Sequence, residues 1–204
     1  MEYFTTDITV IAGRKTSGKS VFLKWLTSRF TRKLVWDYNH EHSSSGKVTH
    51  DLKTLFSLCK RTNPMKIVFQ PFDKSEESFN EFCRQADLLS NYVLVIEEVE
   101  RYATSHMIPE NFAKIVDTGR HKGIGIVATC RRPREICLRL PSNADHIFLF
   151  QQHLPQDIEF LVDWVGAEAE KLKTAEQYSF LHYDARKGTT VLFPPLPYKG
   201  VATQ

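Results

Sequence analysis

The chain has 204 residues, 42% hydrophobic and 25% charged, with a formal net charge of +3, ordinary values for one globular domain with a large core. Its longest unbroken apolar run is the five residues Tyr92–Ile96, against roughly 20 needed to cross a bilayer, so no membrane span is predicted. Met1–Phe4 lacks the basic stretch and apolar core of a secretory leader, and Cys59, Cys83, Cys130 and Cys137 form no C-x-x-C pair, which predicts free thiols inside a cell.

Residues 8–12, Ile-Thr-Val-Ile-Ala, predict the first strand, and 19–30 the first helix. Between them Gly13, Arg14, Lys15, Thr16, Ser17, Gly18, Lys19 and Ser20 form a complete G-x-x-x-x-G-K-S loop. Such a loop works only between a strand and a helix, which is the context here. Gly13 lets the chain leave the strand in a turn that a side chain would obstruct, and Gly18 lets the backbone approach phosphate closely. The amides of about Ser17 to Ser20 then point at the anion from a helix N-terminus, where the dipole favours negative charge. Lys19 is expected to reach the β- and γ-phosphates, and the Ser20 hydroxyl to ligate Mg²⁺. The loop predicts binding of a nucleoside triphosphate.

A second strand follows at 33–36, ending at Asp37. His40, His42 and His50 lie with Glu41 in a polar stretch and are expected to be a solvated loop, with no spaced partners to complete a zinc site. Ser43–Gly46 is another loop, 51–60 a helix, 66–70 a strand closed by Pro71, and 77–89 a helix. Strand 92–96 runs straight into Glu97-Glu98. Beyond it come a helix at 109–120 opened by proline, a strand at 124–129, a short segment after Pro133, a strand at 146–150 and a helix at 155–165. Near-continuous apolar strands separated by helices predict a mainly parallel sheet covered on both faces. Residues 178–184 and 189–193, joined by Ala185-Arg186-Lys187-Gly188, predict a C-terminal β-hairpin, after which Pro194, Pro195 and Pro197 stop regular structure.

The two carboxylates at the end of strand 92–96 stand where ligands bind in open α/β sheets. Successive strand residues point to opposite faces, so the two acids can divide the work. Glu97 would hold Mg²⁺ or its water, and Glu98 would orient and polarise the water that attacks the γ-phosphate. A GTPase would carry N-K-x-D, which is absent, and its D-x-x-G appears only as Asp163–Gly166, too late in the chain. ATPases that partition DNA or deliver metals have Lys directly after the first loop glycine, where this chain has Arg14. A small-molecule or nucleotide kinase remains the alternative, although it has no need of a second acid to activate water.

The segment Asp117-Thr118-Gly119-Arg120-His121-Lys122-Gly123, the strand after it, Thr129-Cys130-Arg131-Arg132-Pro133, and Ser142-Asn143-Ala144-Asp145 form an ordered set. Together with the phosphate loop and the acidic pair, over residues 8–165, this set resembles the FtsK–HerA superfamily of DNA-pumping ATPases. Within it, a chain of this size is similar to the genome-packaging ATPases of tailless icosahedral viruses with internal membranes. The resemblance implies a three-layer, RecA-like P-loop fold over 1–204, with the core at about 8–165 and the hairpin and proline-rich tail at about 175–204. It implies ATP and Mg²⁺ as cofactors, and translocation of double-stranded DNA into a capsid by a ring, expected to be a hexamer. Its site would be the host cytoplasm or the packaging vertex of the virion. Arg120 matches the arginine that reaches a neighbouring subunit's nucleotide; the competing reading is a surface arginine at a helix end. The family's sensor glutamine falls on Arg131 or Cys130 according to the alignment, with Arg131 preferred. The family has Asp where this chain has Glu97. The Ser43–Thr49 loop with Lys47, and Arg101–Met107, are candidates for gripping DNA phosphates.

Overall fold

The computed structural model of the chain describes residues 3–196, so Pro197 and the remainder of the expected tail lie outside the described residues. In chain order the elements are β1 (Ile8–Ala12), α1 (Lys19–Ser28), β2 (Lys33–Trp36), β3 (Lys47–Thr49), α2 (Leu52–Arg61), β4 (Lys66–Phe69) and α3 (Glu76–Ala86). They continue with β5 (Tyr92–Ile96), α4 (Glu110–Thr118), β6 (Ile124–Cys130), α5 (Arg139–Ser142), β7 (His146–Phe150), α6 (Pro155–Val165), β8 (Phe180–Asp184) and β9 (Thr189–Phe193). Among the described residues one sheet contains all the strands, in the order β3-β4-β2-β5-β6-β1-β7-β8-β9. Strands β1 to β7 pair in parallel, while β8 and β9 add the predicted hairpin antiparallel to β7. The fold is an α/β P-loop fold.

The central strands are buried along their whole length because helices cover both faces. On one face α1 sets Phe22, Leu23 and Leu26 against Ile11, Val95, Val127 and Phe148. On the other, Leu55 of α2, Phe79 and Phe82 of α3, Phe112 of α4 and Leu161 of α6 pack on Trp36, Ile67, Leu94 and Ile126. Trp36 is ringed by Phe69, Phe79, Phe82 and Tyr102, with centroids 4.9–5.6 Å away. Phe79 is fully buried there, and Phe79→Ala would cost roughly 3–5 kcal/mol.

Local chemistry sets the helix starts. Asp51 caps α2 by accepting from the Lys53 amide, and Ser75 caps α3 by accepting from the Ser78 amide. Pro155 opens α6 at a position where no N–H is needed. The expected helix at 109–120 instead ends as α4 at Thr118 and tightens into a 3₁₀ turn over Gly119–Lys122. Gly123, at φ 71°, then turns the chain into β6; a Cβ there would lie 2.3 Å from Asn91 Oδ1. Elements not foreseen include the three-residue edge strand β3, the short helix α5 and a 3₁₀ helix at Ala167–Lys173.

Candidate active site

The phosphate loop leaves β1 and is fastened at its start to the two neighbouring strands. The Gly13 amide donates to the Cys130 carbonyl at 3.2 Å and the Arg14 amide to the Gln151 carbonyl at 3.1 Å. The Arg14 guanidinium also grips Gln151 Oε1, at 3.2 and 2.7 Å. A Cβ on Gly13 would come within 2.6 Å of the Phe150 Cβ, so the strand exit is closed to any larger residue. Gly18 precedes α1 in the left-handed region, at φ 104°, and no side chain caps the helix. The first amides of α1 are therefore left to an anion, with the dipole behind them. Lys19 Nζ donates to the Arg14 carbonyl at 2.9 Å, which folds it over the loop, and burial pulls its pKa down. Lys15 and Thr16 are exposed at the loop's tip, Ser17 is buried beneath it, and Ser20 is half-buried in the first turn of α1.

Strand order puts β6 between β1 and β5, so Glu97 and Glu98 stand one strand removed from the phosphate loop at the same end of the parallel sheet. Glu97 is buried, and its Oε2 has no hydrogen-bond partner among the described residues. An orphaned carboxylate oxygen beside a phosphate site suits a hard cation such as Mg²⁺, which takes oxygen ligands. Glu97 Oε1 lies 3.5 Å from His42 Nε2. This corrects the expectation that His42 belongs to a solvated loop: it is 2% exposed. Asp37 draws it in, since its carboxylate accepts from the Glu41 and His42 amides at 2.9 Å and from Gln70 Nε2 at 2.8 Å. Asp37, His42 and Glu97 thus bring one ligand atom each within 4.8 Å of one another. His40 and His50 remain exposed, as expected.

Glu98 has a left-handed backbone, at φ 54°, held by its amide donating to Thr129 Oγ1 at 3.1 Å. Its Oε1 accepts from Asn39 Nδ2 at 3.1 Å and from Arg131, and its Oε2 from Arg101 Nε at 2.5 Å. Burial pushes this carboxyl up, but the Arg101 and Asn39 hydrogen bonds and the Arg131 and Arg101 charges outweigh it and hold it below the usual carboxylate range. Arg101 is itself stacked on Tyr38, 4.1 Å from the ring centroid. Glu100 accepts from the Arg131 amide at 2.8 Å, and burial raises its pKa. Arg131 therefore joins the acidic pair, while Cys130, the other alignment for the sensor, is fully buried.

Arg120 does not join this cluster. It precedes β6 at the opposite end of the parallel strands and is paired with Asp145 at 2.7 Å. The five residues of β1 alone set the two ends about 16 Å apart, so Arg120 cannot touch its own subunit's phosphate loop. Asp145 also binds the Ile8 amide at 2.9 Å and Arg186 at 3.1 Å. Arg186 continues to Asp7, Asp7 to His146 at 3.2 Å, and His146 Nδ1 to His182 Nε2 at 3.1 Å. Of the segment Arg101–Met107, Tyr102 and Ala103 are buried and Arg101, though exposed, is committed to Glu98, which leaves Ser105–Met107 as the exposed and uncommitted part of the loop. Lys47 is exposed on the edge strand β3.

No protein-family model matches the chain, and no curated protein is similar to it in sequence. Solved structures are similar. The genome packaging NTPase B204 from Sulfolobus turreted icosahedral virus 2, in complex with AMPPCP, is 26% identical, with 93% of this chain and 98% of that one covered and a TM-score of 0.78. B204, the DNA-packaging ATPase from Sulfolobus turreted icosahedral virus, is 25% identical, with 95% and 100% covered and a TM-score of 0.79. VirB4 of Thermoanaerobacter pseudethanolicus, 12% identical with 94% and 90% covered, shares the fold at a TM-score of 0.66. Among the structural neighbours is thus a viral genome-packaging ATPase, the kind of protein that the motif order resembled.

Proposed function

We propose that the chain is an ATP-hydrolysing motor that moves double-stranded DNA into a preformed viral capsid. The observation that carries the proposal is the pairing of a strand-to-helix phosphate loop with two buried acids one strand away, in a chain built along almost its whole length like B204. That likeness favours the motor over a kinase. In this reading ATP is held by the loop from Gly13 to Ser20, and Mg²⁺ by Ser20 and Glu97, with the His42 imidazole orienting the Glu97 carboxylate. Bound there, Mg²⁺ would supply charge neutralisation for the phosphates.

Glu98 is the base for the attacking water. A carboxylate whose oxygens are taken by Arg101, Arg131 and Asn39 is a weak base. At least one of these contacts must open as the γ-phosphate and water arrive, and Arg131 is the group able to follow the phosphate charge. Arg120 serves a neighbour, which requires a ring; a hexamer bound at the packaging vertex is the assembly we favour. The gripping of DNA falls to cationic and polar surface such as Lys47 and Ser105–Met107, by phosphate contacts that read no sequence.

The deciding experiment measures ATP hydrolysis across protein concentration, with and without long duplex DNA. A motor of this kind hydrolyses ATP in water, gains specific activity as it assembles, and is stimulated by DNA. Turnover that needs a small-molecule acceptor, or that ignores both DNA and protein concentration, refutes the proposal.

A further inference from the structure

The phosphate loop has an aromatic neighbour outside every motif of the sequence. Tyr178 lies in the segment between the 3₁₀ helix at Ala167–Lys173 and β8, and it is half exposed. Its ring rests on the loop at the start of α1: a Cβ built on Gly18 would lie 3.1 Å from Tyr178 Cδ1. The backbone of Tyr178 is left-handed, at φ 70°, a region that bulky side chains rarely enter. The segment is tied to the loop rather than merely near it. Gln151 accepts from Arg14 through its carbonyl and its side-chain oxygen, and its Nε2 donates to the Ala175 carbonyl at 3.4 Å. At the far end, the Ser179 amide and hydroxyl both donate to the Glu176 carbonyl, which closes a turn around Tyr178.

Val21 extends the surface. It lies three residues beyond Gly18, on the same side of α1, and the residue is 47% exposed. One aromatic ring and one exposed β-branched side chain thus stand at the first turn of the helix whose amides take phosphate. Water gains nothing from either group. A flat, uncharged ring attached to the phosphates would find apolar surface there.

We propose that Tyr178 is the stacking platform for the nucleobase of the triphosphate held by the phosphate loop, with Val21 as the adjoining wall. The inference rests on the reading of that loop as a triphosphate site and adds the part of the ligand that the loop does not touch. Stacking on a ring face tolerates any base, so affinity here follows ring area more than hydrogen-bond pattern.

The test compares binding of ATP with binding of inorganic tripolyphosphate, which has the phosphates and no base. It uses the full chain carrying Tyr178→Ala, Tyr178→Gly, Tyr178→Phe or Tyr178→Trp. Glycine accepts φ 70° without strain, so Tyr178→Gly removes the ring and leaves the turn favourable. Loss of the ring in the Ala and Gly variants should weaken ATP binding about tenfold or more and leave tripolyphosphate binding unchanged. Phe and Trp should restore ATP affinity. If Ala and Gly bind ATP as the parent does, or if tripolyphosphate affinity falls in parallel with ATP, Tyr178 is no base platform. The second result would make it a support for the loop. Failure of the parent protein to bind either ligand overturns the phosphate-loop reading, and this inference with it.

Discussion

His182 makes the stability of this fold depend on pH in a window that can be worked out in advance. Burial, and next the positive charge that His146 would carry, push its pKa from 6.5 down to about 4. Above pH 6.5 folded and unfolded chains both hold the imidazole neutral, and its contribution is complete. As the pH falls below 6.5 the unfolded chain takes up a proton that the folded chain refuses until about 4, so stability is lost progressively through that interval. At about 1.4 kcal/mol per pH unit, the loss between about pH 7 and about pH 4.5 is on the order of 2 kcal/mol, a large share of the roughly 5–15 kcal/mol typical of a domain. Urea titrations at the two pH values measure it in the parent and in His182→Phe. The phenyl ring keeps the stack on Phe148, whose centroid is 4.4 Å from that of His182, but takes up no proton. The variant will be less stable at neutral pH, because His146 Nδ1 loses its partner, yet it should lose less between the two pH values than the parent, by on the order of 2 kcal/mol. Equal losses in the two proteins would show that His182 is not the group being titrated.

Other substitutions test the site. Lys19→Ala should abolish productive ATP binding while leaving the thermal melt in place; unchanged hydrolysis would remove the basis of the functional reading. Glu98→Gln should bind Mg·ATP and hydrolyse it roughly 10²–10⁴-fold more slowly, whereas Glu97→Gln should raise the Mg²⁺ concentration needed for half-maximal rate. Full activity of Glu97→Gln at low Mg²⁺ would contradict the metal assignment. Arg120→Ala should lose roughly 10³–10⁵ in turnover, the range for an arginine supplied in trans, with nucleotide affinity of the isolated subunit unchanged. Mixing Arg120→Ala with Lys19→Ala subunits should recover activity, since a mixed ring contains interfaces with both groups intact. Mixtures that co-assemble and stay inactive would dismiss Arg120.

The parallel sheet was legible because its buried strands have to be apolar throughout, as Tyr92–Ile96 and His146–Phe150 nearly are, and the antiparallel hairpin from the Ala185–Gly188 turn between its two strands. Lys47–Thr49 was not, because a three-residue edge strand with one apolar side chain has no pattern to recognise. The phosphate loop was legible from local chemistry alone, since its glycines and its helix N-terminus lie in one stretch of chain. The surroundings of the two acids were not. Asn39, His42, Arg101 and Arg131 converge from the ends of β2, β5 and β6, and nothing in the spacing of a polar segment distinguishes a buried histidine from a solvated one. The Asp37 carboxylate, which gathers the amides of Glu41 and His42, was the one usable signal, an acid ending a strand just before a polar loop. Tyr178 was hidden for the same reason: its place beside Gly18 is made by the sheet, some 160 residues away along the chain.

Strand β6 has two ends with different owners. At one end Arg131 and Thr129 touch Glu98, beside the strand's own phosphate loop. At the other, a 3₁₀ turn carries Arg120, half exposed, paired with Asp145 and proposed to serve a neighbour. Between them are seven residues, about 23 Å of fully buried backbone, hydrogen-bonded on both sides and too closely packed to bend or shorten. A strand so confined behaves as a push-rod. On the proposed roles of Arg131 and Arg120, a displacement of Arg131 as the γ-phosphate departs would be transmitted along β6 to the Arg120–Asp145 pair. Each subunit would then announce the state of its own nucleotide at the face where the next subunit's nucleotide waits, and firing around a ring would acquire an order from the stiffness of one strand.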